Sequence, residues 1–530
     1  MTGSGSISGI GVTTGGSGVL VINVDGGANT LTLNAPINIS STGGFTKVGA
    51  GTLIIAGLNA QTGVNSINEG TVQLATGGRL SAGGSTATLS IRQGAVLDLN
   101  GVNVSLGIDD FNNNGTVTNT NAAAVTLTIG NSNGAGTSFG IIDQTNGVIN
   151  LTKLGTGAMS WNGLSTYTGV TTISSTGIIT VNNVADGGFA SGFGAASNAA
   201  GNLVFTGTSA TQAYGGLSFA GTTNDSTDRL FTFNGGATGG ARIQANGVNG
   251  ATLSFTNTGA LAFGAAATGN AQGLVLGGAS TGDNFFAPII NDNGSALTSV
   301  YKADAGVWIL GAVNNYSGAT TITGGLLYAN DGSSLPTASN LVLNGGSLAT
   351  TGAFVRTLGT GAGQVQFVGT AASGFSAGAA PLTVDLGSNP IWGSTAGFLD
   401  GGALLFNAIS QTVNGIALSD VTMFNGFEIT KGTSISGLSL TTTAGNATVN
   451  LASGTTAGLT AGQTISGNPA IPAGATITSI VGTTVTIASV AYTVAEIEPD
   501  GGMQPLKLLP VDRQAPGLQV LQDALGDRKS

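Results

Sequence analysis

Three stretches of the chain share one spacing, and that spacing limits the fold more than any other feature. Counting from Lys47, Lys153 and Lys302, a glycine stands four residues on (Gly51, Gly157, Gly306) and a large apolar residue six on (Leu53, Met159, Trp308). Position fourteen holds Gln61, Tyr167 or Tyr316, position sixteen Gly63, Gly169 or Gly318, and position twenty Ile67, Ile173 or Ile322. A unit that returns at fixed internal distances but is too short to bury an apolar face alone is the mark of a stacked architecture.

Between the copies, apolar residues alternate with Ser, Thr or Asn over short runs. Leu89 and Ile91, Ala95, Leu97 and Leu99, Val125, Leu127 and Ile129, and Leu341 and Leu343 are examples. Period two over three to five residues predicts half-buried strands. The turn-formers between them include Gly94, the Asn112–Gly115 run "NNNG" and the Asn344–Gly346 run "NGG". No stretch before the last thirty residues carries a 3.6-residue apolar period, so the body reads as all-β. Short strands with no helices to cover a sheet bury their apolar rows by coiling and stacking on the next turn, at roughly 20–25 residues per turn.

The spaced residues resemble the passenger-associated β-strand repeat of bacterial autotransporters: a Lys-x-Gly-x-Gly start, an apolar alternation, an Asn-x-Tyr-x-Gly turn and a closing strand. "LTKLGTGAMSWNGLSTYTGVTTI" (Leu151–Ile173) and "VYKADAGVWILGAVNNYSGATTI" (Val300–Ile322) match closely, and the first copy departs at Gln61. The resemblance implies a right-handed parallel β-helix, exposed on the bacterial cell surface or released from it. The expected organisation is a β-helix over 1–430 with copies near 45–75, 151–181 and 300–329, a small Thr-rich β module over 431–495, and a charged, proline-containing tail over 496–530. The tail holds 10 of the 36 charges and 4 of the 11 prolines, and its "APGLQVLQDALGDRKS" run is compatible with one short helix. A typical autotransporter ends in a membrane barrel whose last strand closes in an aromatic. This sequence ends "DRKS" and shows neither a signal peptide nor an apolar run long enough to span a membrane.

Composition narrows the chemistry. Cys and His are both absent, which removes Ser-His-Asp and Cys-His nucleophilic systems and the usual zinc sites. Lys and Arg total 13, scattered, against 23 Asp and Glu, so the basic footprint that nucleic acid requires is missing. Asp109 and Asp110 are the obvious carboxylate pair for glycoside cleavage, but neighbours in a strand point to opposite faces. Acidic residues stand mostly singly, so no Ca²⁺ site is marked and no cofactor is expected. The threonine runs at Thr30–Leu33, Thr116–Thr120 and Thr320–Thr323 are too irregularly spaced to predict an ice-binding face.

The repeated lysines are expected to be solvated on the edges of the turns, where charge discourages edge-to-edge pairing. Gly63, Gly169 and Gly318 are expected to hold turns of positive φ, and Trp161, Trp308 and Trp392 to pack in the core or at its rim. The sequence therefore predicts a non-catalytic structural or adhesive protein: an adhesin, a spacer, or an element of a matrix or fibre. Candidate partners are cell-surface or matrix glycans and further copies of the chain. The alternatives are a phage fibre, tail or decoration protein and a β-helix polysaccharide lyase or glycoside hydrolase.

Overall fold

The computed structural model describes residues 4–7, 18–37, 43–59, 63–80, 89–106 and 111–130, residues 133–399 apart from 134, 139, 175, 388–389 and 391–394, and short strands between 403 and 508. The chain divides into two compact units, Met1–Tyr301 and Lys302–Ser530.

The first unit is a parallel β-helix. One of its faces stacks seven strands from Gly5–Ile7 through Thr30–Leu33, Thr52–Ile55, Thr71–Leu74, Val96–Asp98 and Thr116–Thr118 to Ile141–Asp143. Pairing in this face is parallel throughout and keeps one column in register: Leu31, Leu53, Val72, Leu97, Val117 and Ile142. All six are buried. Each is flanked by residues that turn outward, often threonine, because successive side chains in a strand alternate faces. Leu31 pairs with Leu53, 22 residues on, and Leu53 with Val72, 19 on, so the coil here is as tight as the sequence spacing suggests.

Further along the same unit the turns widen. Val204 pairs with Thr232, 28 residues on, and Gly239 with Gln272, 33 on. The wider turns carry three short 3₁₀ segments, Ala200–Asn202, Val248–Gly250 and Ala265–Ala267. Their interior is filled by phenylalanine. Phe231 lies 5.2 Å from Phe205, 5.4 Å from Phe233, 6.3 Å from Phe255 and 6.2 Å from Phe286 between ring centroids, mostly edge to face.

The second unit opens with the same kind of parallel stacking. Val307–Leu310 pairs with Leu326–Tyr328, which pairs with Ser347–Val355, while Thr320–Ile322, Leu341–Leu343 and Val365–Phe367 form another face. Beyond residue 431 the described strands pair antiparallel: Ser439–Thr442 with Thr448–Ser453, and Thr484–Ile487 with both Thr448–Ser453 and Ile477–Val481. In the tail, Leu506–Leu508 pairs antiparallel with Val421–Met423. The short helix compatible with residues 515–530 lies outside the described residues, as do Gln61, Asp109, Asp110 and Trp392.

Candidate functional site: the repeated lysine and tyrosine locks

The lysines are not on the edge of the coil. Lys47, Lys153 and Lys302 are all 0% exposed, which corrects the expectation of a solvated side chain. The reason lies in strand phase. Lys47 follows Phe45 by two residues in Phe45–Val48, and Lys153 follows Ile149 and Leu151 in Ile149–Lys153, so both point inward with the apolar row. Lys47 occupies a column between Ile22 and Ile67, and Lys153 one between Ile129 and Ile173. The four-carbon stem continues the aliphatic column while the ammonium reaches past it to the turn.

At the turn each ammonium is met by backbone carbonyls. Lys302 Nζ donates to Ala303 O at 2.7 Å, Asp304 O at 2.9 Å and, one turn of the coil on, Gly324 O at 3.0 Å. Lys47 Nζ donates to Val48 O at 3.0 Å, Gly49 O at 2.6 Å and Glu69 O at 3.1 Å, the same three positions. Lys153 Nζ donates to Leu154 O and Gly155 O; the third equivalent position, Ser175, is outside the described residues. An ammonium has three N–H donors and no acceptor, so three converging carbonyls satisfy it. Carbonyls that a sharp turn would otherwise leave unpaired are satisfied in return. Burial pushes the Lys302 ammonium down to about 7 and that of Lys153 to about 8. For Lys47 burial also lowers it, opposed by the Glu69 carboxylate.

The turn itself depends on a residue that the spacing did not single out, two positions after the lysine. Gly49, Gly155 and Asp304 have φ of +79°, +68° and +59°. That left-handed bend aims their carbonyls back at Nζ. The signal was present as the first glycine of Lys-x-Gly in two copies and as an Asp, one of the few non-glycine residues that tolerate this region, in the third.

Gly169 does not adopt positive φ, contrary to expectation. Gly169 is required for a different reason: a Cβ there would stand 2.2 Å from Ile149 O and 2.6 Å from Ile149 C. The neighbouring turn of backbone passes too close for any side chain. Gly51 is placed similarly, with Asn29 O 2.7 Å from its would-be Cβ. Gly157 is half-buried and Gly306 buried, the latter accepting a hydrogen bond from Leu326 N at 3.2 Å.

The tyrosines form a second lock. Tyr167 and Tyr316 are 0% exposed, and each hydroxyl lies 2.8 Å from a threonine four residues on, Thr171 and Thr320. Burial raises both phenols well above their usual range. Thr320 Oγ1 continues at 2.9 Å to Ser339 Oγ, which donates to Gly318 O at 2.7 Å. These threonines were missed because they resemble ordinary outward strand residues; the clue was the recurrence of Thr-Thr-Ile after each Tyr-x-Gly. Beside the second lock, the Arg356 guanidinium pairs with Asp331 at 2.6 Å and donates to Pro336 O at 2.9 Å. Trp161 and Trp308 are fully buried, as expected of core residues. The lysines are thus spent on the coil's own backbone and the tyrosines on its own threonines.

Residues 45–74 and 300–329 match the family described as Passenger-associated-transport-repeat. Two stretches of the chain are thus similar to this repeat. The stretch at 151–181 shares the buried lysine of both and the tyrosine–threonine contact of the second. The chain is also 38% identical over 296 residues to a protein named "Adhesin BmaC autotransporter" from Brucella suis biovar 1 (strain 1330). That alignment takes in 56% of this chain and spans 8% of the Brucella protein's length. No solved structure matches the chain.

Proposed function

We propose that this chain is a length of a surface-displayed or released bacterial β-helix whose role is adhesive and structural, not catalytic. The observation that carries the reading is the 296-residue similarity to an autotransporter adhesin, on a chain whose repeat residues are spent on holding its own turns. Polar groups that would be costly if left unpaired inside the coil are satisfied by backbone and by one another. The outward faces are free to carry contacts. In this reading the chain works without a cofactor, meets glycans or further copies of itself, and does not contact nucleic acid.

The test is adhesion of beads coated with the purified chain to cultured cells and to extracellular matrix. Folded chain should hold beads against shear well above beads coated with an inert protein of similar net charge, and heat-unfolded chain should not. Equal retention of folded chain and inert control would overturn the adhesive role. Release of reducing ends or unsaturated sugars from acidic polysaccharides would overturn the non-catalytic one.

A further inference from the structure

Three consecutive turns in the first unit stack into a polar groove of about 680 Å³ lined by Asn68, Glu69, Arg92, Gln93 and Asn114. The stacking is imposed by the strands that precede the turns. Ile67 pairs with Ile91, and Ile91 with Asn113. Arg92 N then donates to Ile67 O at 2.9 Å and Asn114 N to Ile91 O at 2.8 Å. Equivalent side chains therefore rise one coil spacing at a time, ~4.8 Å, close to the length of one sugar ring.

Backbone hydrogen bonds hold the turns that make the walls of the groove. Ala95 N donates to Arg92 O at 2.9 Å across a turn whose central residues are Gln93 and Gly94, the latter at φ +81°, with Arg92 at its base; Arg92 and Gln93 are both exposed. Glu69 Oε2 accepts from Gly49 N at 2.7 Å, and its backbone carbonyl accepts from the buried Lys47 ammonium. Glu69 is thus committed to the turn below and its charge is offset by Lys47. Arg92, Gln93 and Asn114 are exposed, and Arg92 has no ion-pair partner among the described residues. Among the described residues the groove presents one guanidinium without an ion pair and one turn-bound carboxylate beside three primary amides.

We propose that this groove binds a carboxylate-bearing oligosaccharide, with Arg92 taking the carboxylate and Asn68, Gln93 and Asn114 the hydroxyls and acetamido groups of neighbouring rings. Planar guanidinium pairs with carboxylate through two parallel hydrogen bonds. Side-chain amides offer a donor and an acceptor side by side, the pattern that adjacent hydroxyls on a ring require. A nucleic acid is disfavoured by a single cation on a chain of net charge −10. A shallow polar site of this kind gives weak individual affinity, about millimolar, and gains strength when several chains meet a polymer with repeating carboxylates. The proposal rests on the adhesive reading for its biological setting.

The experiment immobilises the whole chain and measures binding of a hyaluronan hexasaccharide, of 3′-sialyllactose and of neutral chitohexaose. Binding of hyaluronan, reduced at least tenfold in Arg92→Gln and several-fold in Gln93→Ala, supports the proposal with an internal uronate as the ligand. Binding of sialyllactose with the same sensitivity supports it with a terminal sialic acid. Both variants change exposed side chains, and an unchanged circular dichroism spectrum shows them folded. Equal binding of chitohexaose, insensitivity to Arg92→Gln, or no binding of any probe overturns the proposal. A chain that still holds beads to cells while binding none of the probes loses this site but keeps the adhesive role; a chain that fails to hold beads loses that role.

Discussion

The turns around Lys153 and the turns around Phe231 belong to the same unit and solve the same problem differently. In the first, Met159, Trp161 and Ile173 fill a narrow interior, and the corners are closed by Lys153 on its carbonyls and Tyr167 on Thr171. In the second, the coil takes 26 to 33 residues per turn and the added width is filled by Phe205, Phe231, Phe233, Phe255 and Phe286. Polar locks demand exact positions, since a hydrogen bond weakens steeply with distance and angle. Apolar filling demands only volume and face. A narrow coil therefore leaves a periodic sequence, and a wide one does not.

The contrast can be broken most forcefully at the centre of the wide region. Phe231→Ala removes a ring that touches four others and should cost ~3–5 kcal/mol, read as a fall in the denaturant midpoint of the first unit. A loss below 1 kcal/mol would mean that the phenylalanine cluster repacks and is not what sets the coil width.

The polar lock comes next. Lys302→Met keeps most of the stem but leaves Ala303, Asp304 and Gly324 carbonyls without their donor, and should cost ~3 kcal/mol. The same lysine sharpens the comparison through pH. Its folded value, about 7, lies below the ordinary 10.5, so between these values the unfolded chain holds a proton that the folded chain has released. Folding in that window releases a proton and is favoured by alkali. The melting temperature should climb from pH 7 towards pH 10 by more in the parent than in Lys302→Met. A fall in the parent would show that the carbonyls hold the ammonium charged against the cost of burial.

A pair of glycine variants separates closeness from backbone conformation. Gly169→Val drives a side chain into the Ile149 carbonyl and should cost ~2 kcal/mol. Gly94→Ala meets nothing within 4 Å and bears only the strain of a φ of +81°, about 1 kcal/mol. Reversal of that order in thermal melts would restore a conformational role for the repeat glycine. An effect as small as that of Gly94→Ala belongs to Tyr316→Phe, which deletes one hydroxyl contact while Thr320 keeps Ser339, and should cost ~1 kcal/mol.

The sequence determined the all-β class, the stacked parallel coil and the positions of its three locks, because alternation and fixed spacing are local properties written residue by residue. The inward phase of the lysines is written in Phe45-x-Lys47 and Leu151-x-Lys153, but their charge led to the opposite expectation of a solvated edge. Tertiary structure decided everything that depends on the turn above or below. Whether Lys302 finds Gly324 O, whether Ile149 O leaves room beside Gly169, and whether Arg92 rises over Asn68 are questions of register between residues about twenty apart. Parallel strands fix that register through hydrogen bonds formed only after the coil has closed, so no local pattern in the chain can encode it alone.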